Sequence, residues 1–191
     1  MLNKKPRYAV VIILLTIVAL LAGFLYQQFY SVIQKEKYPR KFSKYVTQAS
    51  REFNVPESII YATIKTESNF VPDAESSAGA QGLMQLMPST FEWLTTSVLK
   101  ENLSPQDITD PQTNIRYGTY MLSWLYKLLG DWETVFAAYN AGIGNVNSWL
   151  EDEKYSKNGK LINIPFPETK EYVKRQLAHI KKYENLYYTG D

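Results

Sequence analysis

Residues 9 to 26, AVVIILLTIVALLAGFLY, carry no charge, and this stretch constrains the chain before any other feature does. About 20 apolar residues at a rise of ~1.5 Å cross a bilayer core of roughly 30 Å, so the segment reads as a membrane span or a signal sequence. Its run exceeds the ~7 to 15 residues of a typical signal-peptide core, and no cleavage site of the A-x-A type follows it. The expectation is an uncleaved anchor over residues 9 to 30, with a short tail at 1 to 8 before it and a polar tether at 31 to 38 after it. The LLAG of residues 20 to 23 would suit lipoprotein processing only if a cysteine came next, and Phe24 stands there. The chain has no cysteine at all, so thiol lipidation, disulfides and thiolate metal sites drop out together.

Charge does not orient the span. Lys4, Lys5 and Arg7 favour a cytoplasmic tail, yet Lys35, Lys37, Arg40, Lys41 and Lys44 follow on the other side. A formal net charge of +2 gives no electrostatic argument for a nucleic-acid partner. The residues after the tether, 39 to 188, suffice for one domain with its own core.

That domain reads as all-α. Phe42, Tyr45, Val46, Ala49 and Phe53 recur at intervals of three and four, the pattern of an amphipathic helix. Pro56 fits the first turn of a second helix that runs to about Glu67. Pro88 opens a third through Trp93, and Pro111 a fourth that Gly130 closes. Asp131 caps a fifth that stops at Gly142, and Pro167 opens a last one through Lys182 or beyond. The stretch SKNGKLINIPF, 156 to 166, is the one place for a turn with a short extended segment. Trp93, Trp124, Trp132 and Trp149 are assigned to the core. His179 is the single histidine, and without a second imidazole or a thiolate near it in sequence no metal site is expected.

Glu67 sits oddly in this pattern. At ~100° per residue it falls within about 60° of Ile60 and Ile64, so it shares their apolar face. A helix end can fray and turn its carboxylate to solvent. A carboxyl held on an apolar face instead has a raised pKa and keeps its proton near neutrality, as a general acid must. The loop after it, from Ser76 to Gly82, is built of small residues that permit close approach of backbone to a ligand, and Gln85 adds an amide donor and acceptor. Tyr139 and Asn140 end a helix just before Gly142 and Gly144, while Glu168 and Tyr172 lie on the first turns of the last helix.

In this order the segments resemble the catalytic domain of bacterial lytic transglycosylases of the soluble-lytic (SLT) type. The matching pieces are Glu67 and Ser68 with Phe70; the run GAQGLMQLMP from Gly79 to Pro88; AYNAG from Ala138 to Gly142 with Gly144 and Val146; and Ile164, Pro165, Phe166, Glu168, Thr169, Tyr172 and Val173. The resemblance implies a goose-lysozyme-like helical fold behind a single N-terminal transmembrane helix. It implies cleavage of the β-1,4 bond between N-acetylmuramic acid and N-acetylglucosamine in peptidoglycan, without water, leaving 1,6-anhydro ends. Glu67 matches the single catalytic glutamate. Ser68, which would also fix the helix end, and Ser76, Gln85, Met87, Tyr139, Asn140, Glu168 and Tyr172 match the positions that bind or support the glycan. No cofactor and no metal are implied.

Peptidoglycan lies outside the cytoplasmic membrane, so the resemblance places the domain on the wall side of a single-pass anchor. Glycan strands are the expected partner, together with an envelope machine that the sequence does not identify. Two alternatives stay open: a muramidase of goose-lysozyme type that uses water, with Asp73 or Glu75 as its base, and a non-catalytic wall-binding protein. Most glycosidases need two carboxylates, and the exceptions recruit the substrate's N-acetyl group in place of one. Asp73, Glu75 and Glu92 lack the setting of Glu67.

Overall fold

The computed structural model describes residues 5–188. The chain divides at Pro39 into two units. The first is one helix, α1 (Lys5–Lys37), of 33 residues, or about 50 Å at 1.5 Å per residue. It is long and apolar enough to cross a membrane from Tyr8 onward, and none of its apolar window is covered by protein. The Thr16 hydroxyl donates to the Ile12 carbonyl at 2.9 Å, a bond within the helix that satisfies the hydroxyl locally. The tether read at 31 to 38 is helical through Lys37, because its polar residues carry no proline or glycine to end the helix.

The second unit is built of helices. α2 (Ser43–Phe53) buries Val46 and Ala49, as its periodicity requires, and left-handed residues bound it, Phe42 before and Asn54 after. α3 (Glu57–Glu67) is the central helix, buried from Ser58 to Ile64. α4 (Pro88–Trp93) runs into a turn of π-helix, Leu94–Val98. A 3-10 turn, Pro105–Thr109, leads to α5 (Pro111–Leu129). The Asp110 side chain caps α5 by accepting from the Thr113 N–H at 2.8 Å, and Gly130 ends it at φ 68. Asp131 caps α6 (Trp132–Ala141) through the N–H and hydroxyl of Thr134. α7 (Ile143–Leu150) was not expected, since its Gly144 and polar residues weaken the helical pattern, but Val146 and Trp149 anchor it. The antiparallel hairpin of β1 (Ser156–Lys157) and β2 (Lys160–Leu161) turns on Asn158 and Gly159, both at positive φ as an Asn-Gly hairpin demands. α8 (Pro167–Tyr183) ends in a π-helical turn, Glu184–Tyr188.

α3 packs along α8, and much of the aromatic content goes into that seam and its neighbours. Tyr61 of α3 stacks on Tyr183 of α8 with ring centroids 5.3 Å apart, and both are fully buried. At the start of α3, Glu57 accepts from Tyr188 at 2.8 Å and from Thr47 at 2.6 Å, and pairs with Arg40 at 3.0 Å. This clasp holds Tyr188, which follows α8, against the start of α3. Of the four tryptophans assigned to the core, Trp149 is buried. Trp93 is not: it is 37% exposed, resting edge-on against Trp124 at 5.3 Å.

Candidate active site

Glu67 is the last residue of α3, and the chain turns sharply after it. Asn69 and Phe70 both take positive φ (49° and 66°), a conformation that costs a side-chain-bearing residue energy. Phe70 offsets part of that cost by burial at 4% exposure. Ser68 ties the turn down, its hydroxyl 2.8 Å from the Leu83 carbonyl. Ser68 is therefore turned inward, where it holds the helix end to the loop.

The loop is folded around Asn114, a fully buried residue of α5. Its Oδ1 accepts from the Met84 N–H at 2.7 Å, while its Nδ2 donates to the carbonyls of Gln81 at 3.0 Å and Ile108 at 2.7 Å. The Met84 N–H and the Ile108 carbonyl are satisfied by this one side chain, which also gives the Gln81 carbonyl a second donor beside the Leu86 N–H at 3.0 Å. Gly82 is obligatory beside it: φ is +82°, and a Cβ there would stand 2.2 Å from Asn114 Nδ2. Gly118, one turn on from Asn114, leaves room for Met84, whose Sδ would lie 2.6 Å from an added Cβ. Ser76 closes the tip, with its Oγ accepting the Ala80 N–H at 3.0 Å. Gln85 sits at φ 50°, and its Nε2 donates to the Ala74 and Gly82 carbonyls, both at 2.9 Å. Both amide hydrogens of Gln85 are thus used within the loop, and its Oε1 is the atom left for a ligand. Met87 is 40% exposed at the foot of α4, while Met84 and Leu86 are core.

α8 and α6 bring the remaining groups to Glu67. The Tyr172 hydroxyl donates to Glu67 Oε1 at 2.6 Å, across 105 residues of chain, and itself accepts from Gln176 Nε2 at 2.9 Å. Tyr139 of α6 donates to the Met84 carbonyl at 2.8 Å, which pins the loop to the helix beside Glu67. Asn140 is exposed, and its Oδ1 accepts from Thr169 at 2.8 Å. Glu168 is exposed in the first turn of α8, where a carboxylate favours the helix N-terminus. The structure thus gathers Tyr139 and Tyr172 about Glu67 and sets Glu168 on the rim.

The electrostatics follow from this enclosure. Burial pushes the Glu67 carboxyl up to about 7, against the opposing pull of the Tyr172 hydrogen bond and the Arg175 charge. Burial and the Glu67 charge raise both Tyr172 and Tyr139 well above 10, so both phenols keep their protons. Half-buried and able to be protonated at neutral pH, Glu67 can give a proton and take one back. Asp73, Glu75 and Glu92 are all exposed. Among the described residues no cluster of His, Cys, Asp and Glu could hold a metal ion.

Sequence reasoning missed Asn114, Arg175 and Gln176. The signal for the last was present: Thr169, Tyr172 and Gln176 recur at intervals of three and four as a polar stripe, and the structure turns that stripe inward, Thr169 toward α6 and the other two toward α3. Asn114 was legible as a polar residue four positions before Gly118 on an otherwise apolar face.

Residues 44–162 match the family model of the transglycosylase SLT domain. The soluble lytic murein transglycosylase of Escherichia coli (strain K12) is 34% identical over 185 residues, covering 93% of this chain and 27% of that protein. The membrane-bound lytic murein transglycosylase C of Mannheimia succiniciproducens is 35% identical over 141 residues, covering 68% of this chain and 39% of that one. A solved structure of the lytic transglycosylase Slt of Pseudomonas aeruginosa, an inactive glutamate-to-glutamine mutant, matches with a TM-score of 0.70 at 31% identity. That match covers 79% of this chain and 25% of the other. The chain spans about a quarter of the length of these soluble relatives. Its helical architecture is theirs, and the islands around Glu67, the glycine loop and Tyr139 fall inside the matched span. The chain belongs to the transglycosylase SLT domain family.

Proposed function

We propose that the protein is a membrane-anchored lytic transglycosylase that cuts the glycan strands of peptidoglycan at the MurNAc-β-1,4-GlcNAc bond and leaves 1,6-anhydroMurNAc ends. The observation that carries this reading is a single desolvated carboxyl, Glu67, held through one oxygen by Tyr172, with the other acids of the loop in solvent.

The chemistry needs one group to move two protons. Protonated Glu67 donates to the glycosidic oxygen as the C1–O4 bond breaks, and the carbonyl oxygen of the substrate's own N-acetyl group closes on C1 from the other face. The GlcNAc hydroxyl departs with the proton. Glu67, now ionised, removes the proton of the muramoyl 6-hydroxyl, whose oxygen attacks C1 and expels the N-acetyl oxygen. The anhydro ring forms and Glu67 is again protonated. No water enters, and no second carboxylate is required. A pKa near 7 suits this double duty, since donor and acceptor forms are both accessible at neutral pH.

Tyr172 holds the Glu67 carboxyl in one orientation, and its hydrogen bond stabilises the ionised form at the moment the leaving group departs. Gln85 Oε1, Met87 and the exposed Asn140 line the approach for the sugars, with the backbone of the glycine loop close beside them. Ser68, Ser76 and Tyr139 act through the shape of the loop. α1 serves as the anchor in the cytoplasmic membrane, with the tail inside and the domain facing the wall; its length and apolar composition, and a relative named as membrane-bound, support the membrane association.

The test is release of soluble muropeptides from purified peptidoglycan by the full chain in detergent. The reading requires release by the native chain and none by Glu67→Gln, and equal release by both would refute it.

A further inference from the structure

Gln176 is fully buried between α8 and α3, yet it is polar and only partly satisfied. Its Nε2 lies 2.9 Å from the Tyr172 hydroxyl and 3.3 Å from the Thr63 hydroxyl, and its Oε1 has no partner. A buried acceptor left unpaired costs stability, so packing alone would favour Leu or Met here.

The neighbours fix which way the amide points. Thr63 spends its proton on the Ile59 carbonyl at 2.9 Å, and Tyr172 spends its own on Glu67. Both oxygens therefore need a donor, and the amide NH2 group supplies one to each. Reversing the amide would set its carbonyl against two oxygens whose protons are already committed.

We infer that Gln176 is a positioning residue that fixes the direction of the hydrogen-bond chain ending on Glu67, and thereby decides which carboxyl oxygen carries the proton that is transferred. With the amide donating to its oxygen, Tyr172 must donate to Glu67 Oε1. The proton of the neutral acid then sits on Oε2, which has no hydrogen bond among the described residues. Without Gln176 the phenol is free to rotate and accept, and protonated Glu67 can carry its proton on Oε1 and donate a hydrogen bond inward to the Tyr172 oxygen. That form is neutral and stable but cannot protonate a leaving group. The inference rests on the reading of Glu67 as the acid. The titratable groups that face Glu67 are Tyr172 and Arg175 of α8 and Tyr139 of α6, and Asp73 and Glu75 of the loop are exposed.

The experiment titrates the Glu67 carboxyl carbon by NMR in the full chain in detergent, and measures kcat and KM against pH on soluble glycan strands. Native protein is set beside Gln176→Met, Tyr172→Phe and the double variant. Methionine matches the volume of glutamine and removes the unpaired oxygen, so the melting temperature should hold or rise; Gln176→Leu is the second choice if it does not fold. Gln176→Met should raise the Glu67 midpoint by about half a pH unit and lower kcat about tenfold with KM little changed. In the Tyr172→Phe background the same substitution should add nothing to either. A uniform fall in kcat with an unmoved midpoint, or full additivity in the double variant, would overturn the positioning role. A shifted midpoint in a chain whose native form releases no glycan fragments would leave the network standing and refute the assignment of Glu67 as the acid.

Discussion

The hydroxyl of Tyr172 stands 2.6 Å from Oε1 of Glu67, and this bond joins the end of the central helix to the first turns of the last one. It opposes the burial that raises the carboxyl, because a donor to the ionised form stabilises it. Tyr172→Phe removes that donor. The Glu67 midpoint should rise above about 7, so the alkaline limb of the kcat profile moves upward while kcat falls roughly tenfold. A pH–rate series on soluble glycan strands checks both.

Glu67→Gln should abolish turnover, a loss of roughly a thousandfold or more, because the amide neither gives nor recovers a proton. It should also stabilise the fold at alkaline pH. A carboxyl whose folded pKa lies above its unfolded value of 4.5 contributes fully below about 4.5, and that contribution is lost as pH rises through about 7. The variant is free of this loss. Its unfolding free energy should match that of the native chain near pH 4.5 and exceed it at pH 8.5 by on the order of 2 kcal/mol once partial solvation is allowed for, with the melting temperature following. Paired thermal melts across that range are the measurement.

Asn114→Ala should damage the loop from a distance. It leaves the Met84 N–H and the Ile108 carbonyl without their partner and takes from the Gln81 carbonyl one of its two donors, a loss of about 3 kcal/mol. Gly82→Ala should do comparable harm, both through its +82° φ and because the added Cβ would collide with the Asn114 side chain. In each case KM should rise more than kcat falls, since the glycan groove deforms while Glu67 keeps Tyr172. Denaturant melts with steady-state kinetics separate the two effects.

The helix pattern was legible because Pro at helix starts, Gly at stops and Asp at caps are local signals. Pro88, Pro111 and Pro167 each open the helix they announced, and Gly130 and Asp131 stand where they were expected. α7 and the helical continuation to Lys37 were not legible, since the first is held by the tertiary burial of Val146 and Trp149 and the second by the absence of any breaker. Glu67 was legible from its place on an apolar face. Tyr172 was named only through the family resemblance, and its bond to Glu67 was not legible: it is 105 residues away, and nothing local marks a tyrosine as aimed at a carboxylate. For Asn114 and Gln176 the sequence marks only a polar residue on an inward face; what each serves was not legible, because those groups lie far from it in sequence.

Removing residues 1 to 38 should release the protein from membranes while leaving the helical unit folded, since that unit has its own core. Fractionation of native and truncated chains after alkaline carbonate extraction should place the first in the pellet and the second in the supernatant. Finding both in the supernatant would mean that α1 does not anchor the chain.

The most direct measurement is digestion of purified peptidoglycan in water enriched in oxygen-18, followed by mass spectrometry of the released muropeptides. One carboxyl that moves both protons and admits no water predicts ends one water lighter than reducing muropeptides, with no oxygen-18 incorporated. Reducing ends of full mass that carry the label would contradict it and make the enzyme a hydrolase.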